Sequence, residues 1–384
     1  LCRRDGCAGI TEDLYADLLA LFGKLTAKPA TAIVVNPNGT TRKVTLSPLA
    51  VASLLPELDV NPHLRAELPR AVAGALKGDR GALARIVAGG PTGPPPDPRG
   101  AVNQTLATVT HCEEDVHPFD RTARPVDRLA QARDRLAAIP PASFEPFGPQ
   151  IAFLLSNVPT CAFWAMGAAQ PSFGSGPPAN VPVLLIHGEF DLRSTESSTE
   201  TVAKQFRQGK ILVVPNEGHS PTRTPTGGCA RAAAVEYFRT GFPPRPCAIG
   251  ENPFAPRPLV PRTVRAAGGP VAAAQLTVAD AFDELDAGSL LRTAAEPGVR
   301  GGGLRGGRFA GSKRGLVLHR YALIRGFRVT GLVRPSGKVV LTLPRGKLRF
   351  DEDGTVTGRF RGEKIDEQGS LQQQSFAAQL AAGS

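Results

Sequence analysis

Residues 181–187 (VPVLLIH) form an unbroken apolar run of β-favouring composition, and residues 209–215 (GKILVVP) form a second. A continuous rather than alternating run marks a strand covered on both faces, as in a parallel sheet. Between the two runs, residues 194–208 have the composition of a helix, and residues 230–238 supply another after the second run. Strand, helix, strand, helix in succession is an α/β signature. This segment constrains the fold more than any other.

The flanks read differently. Residues 14–26, 69–77, 80–87 and 126–139 carry apolar positions at helical spacing, and residues 31–35 and 43–46 flank an NPNG turn as a small hairpin. Residues 89–100 (GGPTGPPPDPRG) hold no regular element. After Cys247 come a Pro-rich connector at 252–262, one helix at about 277–291, and a Gly-rich joint at 300–307. Period-two strands follow at 316–333, 339–343 and 355–361, joined by RPSGK and DEDG turns. The expected organisation is a helical cap region at 1–150, the α/β part at 151–250, a linker and helix at 251–299, and a basic β module at 300–384 ending in a flexible tail.

The chain has 384 residues, 41% of them hydrophobic, which excludes wholesale disorder and is too long for one ordinary core. With 42 Gly and 36 Pro it should be rich in loops. No apolar run approaches the ~18 residues of a membrane helix. Charge is uneven: residues 251–384 hold 20 Lys/Arg against 12 Asp/Glu, and residues 297–350 hold 13 basic side chains and no acidic one. Such a module either meets an anionic partner or presents a basic solvated surface.

Asp191 lies four residues beyond the first β run (IHGEFD) and His219 four beyond the second (VVPNEGHS), 28 residues apart. In a parallel α/β sheet, ligands gather outside the carboxyl ends of the strands. A carboxylate there can accept the Nδ1 proton of an imidazole and fix its tautomer. Nε2 is then free to take a proton from a hydroxyl nucleophile and return it to a leaving group.

With those motifs, CAFW (161–164), VPVLLIHGEFD, KILVVPNEGHS and GGCARAAAVEYFRTGFPPRPC, the chain resembles the C-terminal half of secreted actinobacterial tripeptidyl-aminopeptidase-like serine hydrolases. These are α/β-hydrolases related to proline iminopeptidases. CRRDGC, LPRAVAGALKGD (68–79) and LATVTHCEED (106–115) are similar to the family's cap, so the resemblance covers about residues 1–248. It implies a partial α/β-hydrolase fold with a mostly helical cap, followed by the small all-β module. It also implies a serine exopeptidase acting near free N-termini through an acyl-enzyme, with Asp191 and His219 as acid and base. The nucleophile of such enzymes sits in a G-x-S-x-G elbow, and none occurs here; FGSGP (173–177) is the nearest string. The expectation is therefore a C-terminal part of a longer protein, inactive alone. An esterase or amidase of the same machinery and a non-catalytic binding module are the alternatives.

Within the resemblance, the six cysteines are expected to pair as Cys2–Cys7, Cys112–Cys161 and Cys229–Cys247, as suits an oxidising, extracellular compartment. His111 and His117 flank Cys112, but with that cysteine bridged no metal site is expected, and no cofactor is implied. Glu113, Glu114 and Asp115 are candidates for holding a substrate ammonium group. His187 should shape the site rather than react, and His63 and His319 should lie at the surface. The expected partners are a peptide substrate and an anionic cell-wall polymer held by the basic module. Nucleic acid is not expected, since no recognition motif or aromatic stacking pattern accompanies the charge.

Overall fold

The computed structural model describes residues 2, 6–55, 58, 61–89, 103–167, 180–224, 227–250, 252, 254–287, 298–334 and 336–368. FGSGP at 173–177, most of the 89–100 loop and the C-terminal tail lie outside them. The described residues form eleven α-helices, a parallel strand pair, a hairpin and an eight-stranded antiparallel sheet.

Helix α1 (Leu14–Ala27) starts where the Asp13 carboxylate accepts from the Tyr15 and Ala16 N–H groups, and it buries Leu21, Phe22 and Leu25 on one face. The hairpin follows as β1 (Ala30–Val35) and β2 (Thr41–Leu46), antiparallel across the NPNG turn. After the short α2 (Pro48–Ala52), α3 spans Pro62–Leu76, capped by Asn61 Oδ1 on the Leu64 N–H at 3.0 Å. The expectation from apolar spacing of a helix over residues 69–77 is corrected by that earlier cap. Pro69 lies inside the helix, where surrounding packing outweighs its missing N–H. Helix α4 (Gly81–Val87) packs on α3 and on β1.

Helices α5 (Gln104–Glu114), α6 (Pro125–Ala137), α7 (Pro149–Leu155) and α8 (Val158–Ala162) surround the Cys112–Cys161 bridge. Their small core holds Phe119, Ala132 and Phe153. Next come β3 (Pro182–Gly188), α9 (Glu196–Lys204), β4 (Gln208–Val214) and α10 (Gly228–Thr240). Strands β3 and β4 are parallel, with Ile186 opposite Leu212 and Gly188 opposite Val214. Their inward face packs Leu212 and Val214 on Ala230 and Ala233 of α10, and Cys229–Cys247 closes that unit. The other face is less covered than the continuous apolar run implied: Ile211 and Val213 are exposed.

Helix α11 (Pro270–Ala287) leads to an antiparallel meander of β5 (Arg300–Gly302), β6 (Gly306–Ser312), β7 (Gly315–Ala322), β8 (Val329–Val333), β9 (Val339–Leu343), β10 (Gly346–Phe350), β11 (Thr355–Phe360) and β12 (Glu363–Gln368), each pairing with the next. Burial alternates strictly along β9. In β7 it breaks at a bulge, where the register shifts between Leu318 and Tyr321 and Arg320 has φ of 49°. His319 and Arg320 are consequently both exposed, and Tyr321 and Ala322 both buried.

The apolar clusters group the chain differently from its sequence segments. One cluster joins Leu21, Val34, Leu46, Val72 and Leu83 to Val278, Phe282, Phe309, Leu341 and Phe350. The first 88 residues and the C-terminal sheet thus share a core. At their junction lies a buried ionic cluster of Glu67 and Arg70 (α3), Arg85 (α4), Asp280 and Glu284 (α11), with Tyr321 from β7. Tyr321 donates its hydroxyl to Asp280 Oδ2 at 2.8 Å, and Arg70 pairs with Glu67 at 2.6 Å. His63, expected at the surface, is buried here with Nε2 3.3 Å from Glu284, because the earlier start of α3 carries it into the core.

Candidate active site

Asp191 and His219 meet just beyond the carboxyl ends of β3 and β4. His219 Nδ1 lies 3.1 Å from Asp191 Oδ2. The Asp191 side chain is nearly buried at 5% exposure, whereas that of His219 keeps 32%, so the pair is solvent-accessible from the imidazole side. Asp191 Oδ1 accepts from the N–H groups of Arg193 at 2.8 Å and Ser194 at 2.9 Å. Burial works to raise the Asp191 carboxyl, but the Ser194 N–H, the His219 ring and the Arg193 N–H outweigh it and hold the group below its ordinary value. It is a fixed anion oriented at one imidazole nitrogen.

Backbone geometry explains this meeting. After β3 the chain turns with Asp191 N–H donating to Gly188 O at 3.0 Å and Phe190 N–H to Glu217 O at 2.8 Å, so the acid loop hangs on the base loop. Asn216 and Ser220 bracket the histidine with φ of 57° and 58°. The buried Glu217 accepts from Thr224 Oγ1 at 2.8 Å, and Glu189 Oε2 accepts the Asn216 N–H at 3.1 Å. Gly188 is needed for the close approach: a Cβ there would sit 2.1 Å from Gly218 O. Gly227 likewise lets the segment before α10 pass Pro221 O, 1.7 Å from where its Cβ would be.

A further support comes from a residue that no sequence motif marks. Arg65 on α3 donates to Phe190 O at 2.7 Å, and its guanidinium lies 5.4 Å from the Phe190 ring centre and 4.8 Å from that of buried Phe254. It braces the residue next to the acid. No local motif marks such a role, since its partners lie in distant segments.

The other candidates fall elsewhere. Glu113 spends both oxygens internally, Oε2 on Arg121 at 2.7 Å and Oε1 on Trp164 Nε1 at 3.0 Å. Asp115 pairs with His111 Nδ1 at 3.0 Å, and Glu114 is exposed. His117 Nε2 meets Cys112 O at 2.9 Å. His187 is buried, with Nδ1 3.3 Å from Thr199 Oγ1, and His319 is exposed. Among the described residues no group of His, Cys, Asp and Glu side chains has the arrangement of a metal site. The three disulfides are Cys2–Cys7, Cys112–Cys161 and Cys229–Cys247.

The Asp191–His219 contact thus sits at the carboxyl end of a parallel strand pair. Residues 148–248, which contain both strands and the dyad, match the α/β-hydrolase family described as TAP-like protein. That match supports an α/β-hydrolase relation for this part of the chain and suggests hydrolase activity. No curated protein and no solved structure matches the chain.

Proposed function

We propose that residues 148–248 carry the acid and base of a secreted serine exopeptidase that cleaves peptides near a free N-terminus. The observation that carries this reading is the 3.1 Å contact between Asp191 Oδ2 and His219 Nδ1 inside the family-matched segment. Asp191 holds the imidazole with Nδ1 protonated. His219 Nε2 takes the proton of a serine hydroxyl as its oxygen bonds to the scissile carbonyl carbon. The same nitrogen returns that proton to the leaving amine as the C–N bond breaks, and water then hydrolyses the ester by the reverse proton path. The 384 residues contain no G-x-S-x-G elbow, so the serine is assigned to a segment outside them. The pairing of β3 and β4 only with each other among the described residues, and the exposed Ile211 and Val213, suit a sheet that continues with further chain. Of the three candidate carboxylates, Glu114 is the one proposed to meet the substrate ammonium group, Glu113 being engaged by Arg121 and Trp164 and Asp115 by His111. Three disulfides support an oxidising, extracellular setting, and none of the described helices is long and apolar enough to cross a membrane.

The test is fluorophosphonate labelling of the protein isolated from its own cells, with the labelled serine mapped, alongside hydrolysis of tripeptide amides with free and acetylated N-termini. The expected result is a label outside these 384 residues and turnover of the free substrates alone. A label on a serine within them, or equal turnover of blocked peptides, overturns the assignment.

A further inference from the structure

One hollow among the described residues is separate from the dyad, with neither Asp191 nor His219 in its lining. It is an open cleft of about 1430 Å³ between the β1–β2 hairpin, the α3–α4 turn, the connector before α11, strands β6 and β7 and the β7–β8 loop. Arg80, Arg262, Arg308, Arg320, Arg325 and Arg328 line it, and all six are exposed. The acid in its wall is Asp79, and it is already taken by Arg305 from across the cleft. Two further contacts brace the walls: Arg308 donates to Asn38 O at 3.0 Å and Arg262 to Lys77 O at 3.4 Å. The remaining guanidinium groups share one concavity, where like charges focus a positive potential.

The shape distinguishes among anionic ligands. A second hollow of about 490 Å³ shares Arg320 and Arg328 with the first and runs on past Thr330 and Thr342. Together they make a track, longer than a single small anion needs. Neither hollow is lined by Phe, Tyr or Trp, and His319 is the one aromatic ring in the wall of the first. A single-stranded nucleic-acid groove stacks successive bases on a series of aromatic side chains, and a lone imidazole is no such series. Arginine forks suit phosphate oxygens. Folding creates the site: Lys77, Arg80 and Arg262 come from outside the β module, and the β7 bulge turns Arg320 outward, with its N–H held by Thr330 Oγ1 at 3.0 Å.

We infer that this cleft binds a linear phosphate-bearing polymer without bases, of the polyol-phosphate type, along the Arg262–Arg320–Arg328 side. The site does not depend on the dyad, and its readout is binding rather than turnover. Attraction of this kind rests on counterion release, so affinity should fall steeply with salt.

The experiment titrates the whole chain with poly(glycerol phosphate), inorganic polyphosphate and oligothymidylate between about 50 and 200 mM salt. Poly(glycerol phosphate) should bind at low salt and weaken by about tenfold or more across the series. The charge reversal Arg320→Glu with Arg328→Glu should lower low-salt affinity at least about tenfold and flatten the salt dependence. Reversal of Lys313 and Arg314, exposed in the β6–β7 turn outside the cleft, should change it little. Arg320→Gln with Arg328→Gln gives the same ordering should the reversal misfold. Inorganic polyphosphate binding as well as the polyol polymer supports the site and identifies the phosphates as its target. The proposal is overturned by no binding at low salt, by equal losses from the two reversals, or by oligothymidylate binding more tightly than the polyol polymer.

Discussion

The Arg85 guanidinium on α4 donates from both Nη atoms to the Asp280 carboxylate on α11, at 2.9 Å each, across 195 residues of chain. This fork, with Tyr321 donating to the same carboxylate, joins the N-terminal helices to the C-terminal sheet at the centre of their common core. Charges so deep are tolerated only because they are paired, and removing one partner strands the other. Asp280→Ala is therefore expected to cost about 3–5 kcal/mol. Replacing Arg85 and Asp280 together by Met and Leu should cost less than the single change. Urea unfolding measures both, and a loss near zero for Asp280→Ala would show that water reaches the cluster.

Asp283, one turn along the same helix, has the opposite ionisation behaviour. Burial pushes its carboxyl up from 3.8 to about 6, although Arg257, 2.5 Å away, and His63 pull it down. A raised carboxyl contributes stability that is full below pH 3.8 and lost as pH rises through about 6. The gap is worth about 3 kcal/mol. Asp280 and Glu284 are held low by Arg85 against the opposing effect of burial, and their contribution has the reverse sign, fading as pH falls through their lowered values. The Asp283 contribution is isolated by comparing Asp283→Asn with the parent chain: the variant should gain by about 2 kcal/mol relative to it between pH 4 and pH 7. A difference that stays constant over that range would mean the carboxyl ionises normally.

The meeting of Asp191 and His219 was legible because a parallel strand leaves a plain trace, an apolar run, and the two residues follow their runs at equal distances. Asp191 and His219 needed no tertiary knowledge. The antiparallel meander was legible in outline from period-two runs and turn residues such as DEDG. The joint core was not. Glu67, Arg70 and Arg85 look in sequence like solvated helix faces, and nothing near them announces Asp280 or Tyr321 as partners. Arg80 and Arg262 escaped notice as cleft residues for the same reason, since each is one cation in an ordinary loop. Charge patterning along the chain reveals a basic segment, but which cations share a concavity depends on how distant segments pack.

The bridges should differ in their resistance to reduction. Cys112 and Cys161 are fully buried beneath Phe119 and Phe153, while Cys229 is exposed at the start of α10. Thiol exchange needs access of the attacking thiolate to a sulfur. Under native conditions dithiothreitol should open Cys229–Cys247 before Cys112–Cys161, as read by alkylation and peptide mapping. The Cys229–Cys247 loop spans 18 residues, so Cys229→Ser with Cys247→Ser should destabilise by about 3 kcal/mol in the chain-entropy model. Simultaneous opening of both bridges would mean that the α5–α8 unit unfolds as readily as the α10 unit.

The sharpest test of the dyad is Asp191→Asn in the active protein. Oδ1 of the carboxylate accepts two backbone N–H groups, and an asparagine can keep both with its carbonyl oxygen. Its Nδ2 then faces His219 Nδ1 where a carboxylate oxygen stood 3.1 Å away. A donor in that place favours the tautomer with Nδ1 unprotonated, which puts the proton on Nε2 and blocks it as a base. The loop should fold unchanged while kcat falls on the order of 10⁴, the scale of the same tautomer error in serine proteases. His219→Ala should be at least as damaging. Arg65→Met, which removes the brace on Phe190 without touching either reacting group, should lower kcat less and leave the chemical step's proton path intact. Peptide hydrolysis by the three variants, checked for folding by circular dichroism, orders them. Normal turnover by folded Asp191→Asn would remove the acid from the mechanism.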